Sequence, residues 1–568
     1  MGVPRRVTTD LAAFAVYAAV SFAYFGARLV PHPGRLLVGH PEQDDAEIFV
    51  WSFAWFPHAI GSLTNPFVSH AVYAPTGVDL AWVTSVPGLA VLFSPLTLLA
   101  GPSAAFNVAA VLMPALSAWA AFLLCRYATR STPASLVGGY LYGFSSYVLA
   151  QQFAGHLNLV AAFVPPLVAL VAVEAVRGEL GRRALVLRLA GLVALQAYIS
   201  TEVAFTLTVM LALGLLLGLV LVPASRARIA ALVPSILAAY ALAAAIASPL
   251  LYFAWTGAAP NVNLADFYGT DLLNLVVPTE VTGWGGQTFA SLTARFPGNT
   301  AERDGYLGVP ALLVVALLAR RRWRDAPTRF LLAGFGVALL IALGTRLVVG
   351  GHRLVWLPWS VPAGWTGVDA LPSRFALYAA LAVSLMVAIW TSSTRGLVFA
   401  RPYVLPVLAV AALVPPVWRA DDVDHPTRSA FFTSGAYRSC IPKGETLLVF
   451  PFGRWGDSLL WQAESGFWFS MAEGTLGHND WPSSFVSDPT ISALVFSFLD
   501  PAARPSMPEL LALARRRHVD RIVSIDADSP YPDREQMRAF GPVREVDGAL
   551  VAPACGHPPI PPARDDSK

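Results

Sequence analysis

Residues 39–51 read GHPEQDDAEIFVW, and they place four acidic residues between two apolar segments. A hydrophobic run from Leu11 to Val30 precedes this stretch, and an aromatic run follows it. The preceding run is about 20 residues long, which is the length that crosses a bilayer as a helix. The stretch therefore predicts a polar loop that begins directly after a first membrane span.

The composition is that of a membrane protein. Of the 568 residues, 55% are hydrophobic and 13% are charged, whereas soluble domains carry about 25% charged residues. A chain of this length with so few charges is expected to cross a membrane many times. The formal net charge of +3 is small, and the sequence has no basic patch interleaved with aromatic residues, so we expect no nucleic-acid partner.

Length and hydropathy predict about eleven spans, in a mainly α, polytopic transmembrane helical bundle. We place them near residues 11–30, 104–124, 133–150, 158–176, 185–199, 203–222, 229–255, 307–319, 328–345, 373–391 and 402–418. Alternate loops are basic: MGVPRR, CRYATRST, VRGELGRRALVLR, PASRAR, ARRRWRDAPTR and TSSTRGLVFAR. Because basic loops stay in the cytoplasm, we expect a multi-pass plasma-membrane protein with its N-terminus inside and its C-terminal region outside.

This layout defines two long loops on the outer face, residues 31–103 and 256–306. The apolar run 86–100 in the first loop is short and broken by prolines, and a full span there would turn the basic loops outward. We interpret it as an interfacial or re-entrant helix. The aromatic run AEIFVWSFAWFPHAI, directly after the acidic stretch, is predicted to be a helix that lies in the membrane interface.

The composition changes near residue 419, where charged and polar residues return. GETLLVFPF is predicted to be a strand, and PELLALARRRHVDRIVSI a helix followed by a strand. Residues 1–418 are thus expected to form the transmembrane module, and residues 419–568 a small extracytoplasmic α/β domain whose tail, PPIPPARDDSK, is disordered. Cys440 and Cys555 bracket this domain, and an oxidising exterior favours a disulfide between them, with two unpaired thiols as the alternative.

Asp44, Asp45 and Glu47 lie at the expected outer membrane surface, and their chemistry permits three roles. A carboxylate can take a proton from a hydroxyl group as a general base. It can hold a divalent cation such as Mg²⁺, Mn²⁺ or Ca²⁺, because these ions prefer oxygen ligands. It can also cap the following helix, since acidic side chains complement a helix start. Spacing alone leaves the three roles open.

Three stretches together resemble a group of actinobacterial membrane proteins in the GT-C class of polytopic glycosyltransferases. They are DDAEIFVWSFAWFPHAI (44–60), NPFVSHAVYAPTGVDLAWVTSVPG (65–88) and AGHLNLVAAF (154–163). The resemblance covers residues 10–420 in architecture. It implies a sugar donor linked to polyprenyl phosphate, a glycan, glycolipid or protein acceptor of the cell envelope, and a reaction on the outer face of the lipid bilayer.

The resemblance also assigns residues. Asp45 best matches the single first-loop aspartate of the class, six residues before Trp51, with Asp44 as the second candidate. It implies that this carboxylate is the general base of an inverting transferase. The resemblance further indicates Glu302 and Tyr306 as a local motif at the end of the long outer loop, and both are candidate substrate-binding residues.

A second polar stretch, QQFAGHLNL, supplies Gln151, Gln152, His156 and Asn158 at the junction of the third and fourth spans. Members of the class often carry an acidic residue or a metal ligand here, and this chain has His156. A neutral histidine can bind a metal together with Asp45 or orient a phosphate; a hydrogen-bonded histidine at a helix start is the alternative. Gln152, His156 and Asn158, with Glu47, are candidate substrate-binding residues.

Three charged residues near the outer ends of spans complete the candidate set. Glu202 lies in a short turn, where an acidic residue either faces an aqueous cavity or pairs with a cation. Arg374 suits a phosphate because its guanidinium group makes bidentate contacts, although an arginine at a span end also reaches the interface for structural reasons. For Glu302, a solvated loop charge is the alternative.

Two other classes of function remain as alternatives to a transferase. A transporter or flippase of a lipid-linked glycan needs polar groups through the depth of the bilayer, whereas the polar residues here crowd the outer face. A non-catalytic envelope scaffold is the third reading. The sequence has no P-loop pattern GxxxxGK[ST], which is consistent with an already activated donor rather than with use of a nucleoside triphosphate.

Overall fold

The computed structural model describes residues 5–40, 45–257, 265–285, 287–366, 371–393, 401–416, 423–476, 487–497, 500–525 and 531–562. Helices dominate the described chain up to residue 416. They are α1 (Arg5–Ser21), α2 (Asp45–Gly61), α3 (Pro87–Leu92), α4 (Ser94–Ala100), α5 (Pro102–Thr129), α6 (Thr132–Gly143), α7 (Ser146–Phe153), α8 (Leu157–Val160), α9 (Val164–Arg177), α10 (Arg182–Ile199), α11 (Thr201–Leu221), α12 (Arg226–Ile246), α13 (Ser248–Thr256), α14 (Ala290–Thr293), α15 (Val309–Arg322), α16 (Ala326–Ala342), α17 (Ser360–Thr366), α18 (Ala376–Ser393) and α19 (Arg401–Ala412).

Short strands and further helices make up the rest. The strands are β1 (Leu37–Val38), β2 (Val68–Ser69), β3 (Val78–Asp79), β4 (Arg346–Val349), β5 (His352–Trp356), β6 (Val423–Asp424), β7 (Thr446–Phe450), β8 (Ser470–Met471), β9 (Arg521–Ser524), β10 (Arg544–Val546) and β11 (Ala549–Ala552). The C-terminal helices are α20 (Ala430–Thr433), α21 (Tyr437–Cys440), α22 (Ser458–Glu464), α23 (Pro489–Phe496), α24 (Met507–Arg516) and α25 (Arg534–Met537).

Six helical segments of the described chain are long and apolar enough to cross a bilayer, by length and composition: Val7–Leu29, Pro102–Thr129, Leu157–Arg177, Thr201–Leu221, Pro223–Ile246 and Pro372–Ser393. Two shorter apolar helices are Ala326–Ala342 and Tyr403–Ala412. All of these segments coincide with predicted spans. The other predicted spans correspond to α6, α10 and α15, so the total of about eleven stays a prediction.

The helix after the acidic stretch, α2, is buried in protein. Phe49, Trp51, Phe53 and Phe56 are each at most 1% exposed, and α2 contacts α3, α5 and the C-terminal helix α22. These aromatic side chains therefore pack against protein, whereas the interfacial prediction expects them to lie against lipid. Such burial is typical of a helix that is apolar on all sides. The run 86–100 forms α3 and α4, of 6 and 7 residues, each too short to cross a bilayer.

The C-terminal part contains a five-stranded sheet in the order β10–β11–β9–β7–β8. Strands β8, β7 and β9 are parallel, and β11 and β10 continue the sheet antiparallel. β9 is buried throughout and β7 nearly so, as expected for parallel strands covered on both faces. The predicted strand in GETLLVFPF and the predicted helix and strand in 508–525 are confirmed as β7, α24 and β9.

Part of the predicted disordered tail is packed. Ile560 is 4% exposed, and its backbone amide donates to the carbonyl oxygen of Asp520 at 3.0 Å. The apolar side chain and this hydrogen bond dock the segment against the sheet, so the prediction fails for residues 558–562. Residues 563–568 lie outside the described part of the chain.

The C-terminal sheet is joined to the first outer loop. The indole of Trp51 donates to Oε1 of Gln462 at 2.7 Å, and Nε2 of Gln462 donates to the carbonyl oxygen of Ala71 at 2.6 Å. The backbone amide of Met471, in edge strand β8, also donates to Ala71, and β1 of the loop pairs with β6. One hydrophobic core runs from α2 into the sheet. The loop between the first two predicted spans is thereby covered by chain that lies about 400 residues later.

Cys440 and Cys555 form a disulfide, with their Cα atoms 4.5 Å apart and a sequence separation of 115. This is the pair that the sequence predicts for an oxidising exterior. The bond ties α21 to the segment that follows β11. Cys125 is free and buried within α5.

Candidate active site

The site begins at the N-terminus of α2, where Asp45 is the first helical residue and its side chain is 28% exposed. A carboxylate at this position is favoured by the partial positive charge of a helix start. Glu47 lies in the same turn but is 6% exposed. Asp44, the second candidate for the catalytic carboxylate, lies outside the described residues. The structure thus presents Asp45 as the accessible first-loop carboxylate among the described residues of this turn.

The turn after α7 packs against this helix start. Gly155 has a φ of +74°, and a Cβ atom at that position would lie 3.1 Å from the Cβ of Ala46 and 3.2 Å from its backbone nitrogen. Both the left-handed backbone and the close approach favour glycine. The approach brings His156 to Asp45, with Nε2 of the imidazole 2.6 Å from Oδ2 of the carboxylate.

The hydrogen bonds of Gln151 determine where the protons of this pair lie. Its Nε2 donates to the carbonyl oxygen of Ala301 at 3.0 Å, so its Oε1 is the atom that faces Nδ1 of His156, 2.6 Å away. An amide oxygen only accepts hydrogen bonds, so Nδ1 carries a proton. A flipped amide would set its oxygen against the oxygen of Ala301. The sequence singles out Gln151 as part of a polar cluster, but not for this role.

One further proton lies between Asp45 and His156. With Nδ1 protonated, the other ring nitrogen of His156 is either a bare lone pair, which needs a protonated Asp45, or an N–H that faces an ionised Asp45. Two unprotonated acceptors 2.6 Å apart would repel each other. The pair is therefore a dyad whose carboxylate and imidazole share one proton.

Two neighbouring polar residues of this stretch, Gln152 and Asn158, have different roles. Gln152 is 3% exposed, and its Nε2 donates to the carbonyl oxygen of Ala110 in α5 at 3.1 Å, which is a packing role. Asn158 is 7% exposed, and its Oδ1 has no hydrogen-bond partner among the described residues. Asn158 lines a cavity of about 110 Å³, so this oxygen is available to a water or a ligand.

The cavity lies between the first outer loop and the α10–α11 junction. Residues 80–87 form one wall, and Ala197, Ile199, Ser200, Thr201 and Glu202 form much of the other. Its volume of about 110 Å³ is below the roughly 300–1,000 Å³ of typical small-molecule sites. The cavity is thus a polar opening beside Glu202 and not a complete donor site.

Arg374 joins two carboxylates from distant parts of the chain. It lies in a 3₁₀ turn, Pro372–Phe375, before α18. Its Nη1 is hydrogen-bonded to Glu202, and its Nη2 donates to Oε1 of Glu302 at 2.8 Å. Ser373 also donates to Glu302, at 2.9 Å. The side chain of Arg374 is 14% exposed, that of Glu202 22% and that of Glu302 2%. Glu302 is therefore a buried, paired charge and not a solvated loop residue.

The dyad and the Arg374 cluster are linked at residues 301 and 302, because Gln151 donates to the carbonyl oxygen of Ala301 and the next residue, Glu302, pairs with Arg374. Asp304 adds a further carboxyl group at this end of the long loop and is 2% exposed. Burial, and then the neighbouring Glu302, raise the pKa of Asp304 well above its usual value. The sequence signal for Asp304 is its position two residues after Glu302.

Tyr306 lies apart from this polar site. It is 7% exposed and belongs to a hydrophobic cluster with Leu275, Leu307 and residues of α15 and α18. Its ring fills space beneath the loop, and the contacts described for it give Tyr306 a packing role. The substrate-binding role suggested by the resemblance has no support from these contacts.

A divalent cation at Asp45 and His156 does not fit the described arrangement. Among the described residues, no group of three or more His, Cys, Asp or Glu side chains is placed to hold a metal ion. Asp45 and His156 supply two ligands, and these face each other across a shared proton. The steps proposed below therefore rest on the side chains of this chain alone.

Two solved enzymes share this architecture. The arabinofuranosyltransferase AftD from mycobacteria superposes with a TM-score of 0.56 at 15% identity, covering 100% of this chain and 40% of AftD. The oligosaccharyltransferase AglB from Archaeoglobus fulgidus, solved with an inhibitory peptide and a dolichol-phosphate, superposes with a TM-score of 0.50 at 13% identity, covering 91% of this chain and 69% of AglB. Another AglB structure, with Zn and sulfate, gives 0.51 at 14% identity, with 90% and 67% covered.

The fold is therefore the GT-C fold of polytopic membrane glycosyltransferases, as the resemblance in sequence predicts. At these identities the likeness shows the fold alone, and the chain spans only about two fifths of the length of AftD. Residues 14–414 match the model of a family described as a domain of unknown function, DUF6311, and the chain belongs to that family. No curated protein matches the sequence.

Proposed function

We propose that this protein transfers a sugar from a polyprenyl-phosphate donor to a glycan, lipid or protein acceptor of the cell envelope. The observation that carries the proposal is the Asp45–His156–Gln151 chain of hydrogen bonds beside the Arg374 cluster in a GT-C fold. We place the reaction on the outer face of the plasma membrane, with the N-terminus in the cytoplasm, on the alternation of basic loops.

Asp45 acts as the general base. An acceptor hydroxyl group approaches the open side of the dyad and loses its proton to the carboxylate while its oxygen attacks the anomeric carbon of the donor. The bond from that carbon to the phosphate oxygen breaks as the new glycosidic bond forms, so the anomeric configuration inverts. His156 holds the carboxylate in place, and Gln151 holds the imidazole.

The leaving polyprenyl phosphate carries the charge that develops in the transition state, and Arg374 is the cation placed to stabilise it. In the described structure Glu202 occupies Nη1 of Arg374 and also borders the cavity. The donor phosphate therefore competes with Glu202 for this nitrogen, while Glu302 and Ser373 keep the guanidinium group in position. Both the pentosyl and the hexosyl form of the donor fit this scheme.

The proposal is tested by sugar transfer in membrane vesicles from a panel of radiolabelled polyprenyl-phosphate pentoses and hexoses. We compare the wild type with Asp45→Asn at equal expression, and with Asp547→Asn, an exposed aspartate in the β10–β11 hairpin, as the matched control. Loss of a general base lowers the rate by about 10²–10⁴-fold, so Asp45→Asn should be nearly inactive and Asp547→Asn fully active.

Equal transfer by Asp45→Asn and the wild type would remove Asp45 as the base. A wild type that transfers no sugar from any donor, yet moves a lipid-linked glycan across the vesicle membrane, would overturn the transferase in favour of the transporter. NMR of the product gives the configuration of the new bond, and retention would contradict the single-displacement step.

A further inference from the structure

A second concave site lies at the far end of α2, where the first outer loop meets the C-terminal sheet. It has a volume of about 560 Å³, and its walls include Trp55 and His58 of α2, Ala71 of the loop, and Phe467, Phe469 and Ser470 of the C-terminal part. His58 lies thirteen residues along α2 from Asp45, or about 20 Å at 1.5 Å per residue. We call this site the distal groove.

The walls of the distal groove are fixed by buried hydrogen bonds. Gln462, which is fully buried, binds Trp51 of α2, the carbonyl oxygen of Ala71 and the carbonyl oxygen of Phe469. Both sides of the groove are thus attached to one side chain. A groove held in this way is already formed before a ligand arrives, which lowers the entropic cost of binding.

Aromatic rings form one part of the lining. The ring of Phe467 packs edge-on with Trp55 at 5.3 Å between centroids and lies 4.8 Å from His58. Phe467 is half-buried, and its backbone has a φ of +57°, a conformation that is uncommon for a bulky residue. Its contacts with Trp51, Trp55 and His58 hold the ring in this place, as such strain persists only where the surrounding structure fixes it.

Polar, uncharged groups form the rest. The rim of the groove exposes four polar side chains, those of Ser62, Thr64, Asn65 and His70. None of the described residues that line the groove is Asp, Glu, Lys or Arg. Burial, and then the nearby Lys443, lower the pKa of His58, which favours its neutral form. An aromatic face with hydroxyl, amide and imidazole groups around it, and with no formal charge, suits an uncharged ligand rich in hydroxyl groups.

We propose that the distal groove binds a segment of an uncharged glycan chain, with a sugar ring against Phe467 and its hydroxyl groups bonded to the polar rim. The apolar C–H face of a sugar packs on an aromatic ring, and its hydroxyl groups find donors and acceptors at the edge. The volume of about 560 Å³ lies within the roughly 300–1,000 Å³ of small-molecule sites, which is room for a short oligosaccharide.

In the proposed transfer reaction, the groove binds a part of the acceptor glycan that lies away from the reacting hydroxyl group. This role rests on the proposed function. Binding itself is separable from transfer. We therefore measure it with the full-length Asp45→Asn protein in lipid nanodiscs, by calorimetry and saturation-transfer NMR. The probes are short linear arabino-, manno-, galacto- and gluco-oligosaccharides.

Two variants change the groove in different ways. Phe467→Ala removes the ring from the wall of the groove. Ser470→Trp fills the groove and leaves the ring in place. If Phe467→Ala fails to fold, binding to Ser470→Trp still tests the proposal. Phe496→Ala removes an exposed phenylalanine of α23 and is the matched control. We expect an oligosaccharide of the panel to bind, with affinity about tenfold weaker in both groove variants, as for truncation of a central contact, and unchanged in Phe496→Ala.

Equal affinity in Ser470→Trp and its parent would overturn the proposal, as would a folded protein that binds none of the oligosaccharides. Retention of a co-purified lipid that Ser470→Trp releases, with no oligosaccharide bound, would assign the groove to lipid instead. Failure of the transferase is distinct: glycan binding would persist in the Asp45→Asn background while the wild type transfers no sugar.

Discussion

Oδ2 of Asp45 lies 2.6 Å from Nε2 of His156, although 111 residues separate the two in the chain. The contact joins the first turn of α2 to the turn after α7, and Gln151 continues it on the other side of the imidazole ring at 2.6 Å. Because the amide oxygen of Gln151 keeps Nδ1 protonated, the Asp45 carboxylate faces a nitrogen that shares a proton with it. Gln151 thus fixes the tautomer of the imidazole that faces the proposed base.

Gln151→Leu tests this positioning role. Without the amide oxygen, the neutral imidazole is no longer held with its proton on Nδ1, and its ring is less fixed against Asp45. We expect a loss of about tenfold in kcat, with KM little changed. The measurement is kcat and KM for sugar transfer.

Gln152→Leu is the matched control, because the amide of Gln152 bonds to Ala110 and not to His156. It should lose stability, by about 1–3 kcal/mol for a buried carbonyl oxygen left without its donor, and keep the kcat of the wild type. A Gln151→Leu enzyme with the kcat of the wild type would show that Gln151 only packs.

Arg374→Ala is expected to destabilise the protein before any substrate binds. It leaves the carboxylates of Glu302 and Glu202, one of them 2% exposed, without their shared cation, and removing one partner of a buried ion pair costs about 3–5 kcal/mol. Thermal unfolding in detergent measures the loss. Arg353→Ala is the control, since Arg353 is 47% exposed and its pair with Asp266 is solvated, which contributes about 0–1 kcal/mol. Equal melting of the two variants would contradict a structural ion cluster.

The sequence predicts those features that depend on nearby residues. Long apolar runs indicate the spans around α5, α11 and α18, and alternation and turn residues indicate β7 and β9. Polar groups that cluster amid apolar helices indicate His156, whereas the resemblance to the GT-C class indicates Asp45 among the acidic residues. The disulfide partner was also predictable, since Cys440 and Cys555 are the two cysteines of the polar C-terminal part.

Features that depend on distant residues could not be read in the same way. The sequence of α2 predicts an interfacial helix because the chain that buries it, around Gln462, lies more than 400 residues later. The orientation of the Gln151 amide depends on a carbonyl oxygen 150 residues away, and the contact between Glu202 and Arg374 spans 172 residues. A single sequence carries no signal for such pairings, which only the folded chain brings together.

Glu473 predicts a pH dependence of stability. It is fully buried beside the sheet, and burial raises its pKa well above the usual value. The folded state therefore keeps a proton that the unfolded chain releases above about pH 4.5, so stability falls as pH rises from there to the folded pKa, by up to about 1.4 kcal/mol per pH unit. Glu473→Gln removes this pH-dependent loss of stability. The melting temperature of the variant should therefore exceed that of the wild type by a margin that widens from pH 5 to pH 8.

The control for that series is Glu545→Gln, which alters a carboxylate that is 56% exposed in the same sheet. Its melting curve should follow the wild type at each pH. Parallel curves for Glu473→Gln and the wild type would mean that Glu473 ionises alike in the folded and unfolded states, which its burial opposes.

The disulfide predicts a dependence of stability on redox conditions. Cys440 and Cys555 close a loop of 115 residues, and closing a loop of that length removes unfolded-state entropy equivalent to about 4–5 kcal/mol. The double variant Cys440→Ala/Cys555→Ala should therefore melt at a markedly lower temperature than the wild type, and a reducing agent should bring the wild type to the same value. Cys125→Ala, which changes the free thiol in α5, should keep the full response to the reducing agent. The melting temperature of the wild type could instead stay the same when the agent is shown to have reduced both sulfurs. That result would mean that the covalent bond adds no stability beyond the packing of α21 against the end of the sheet.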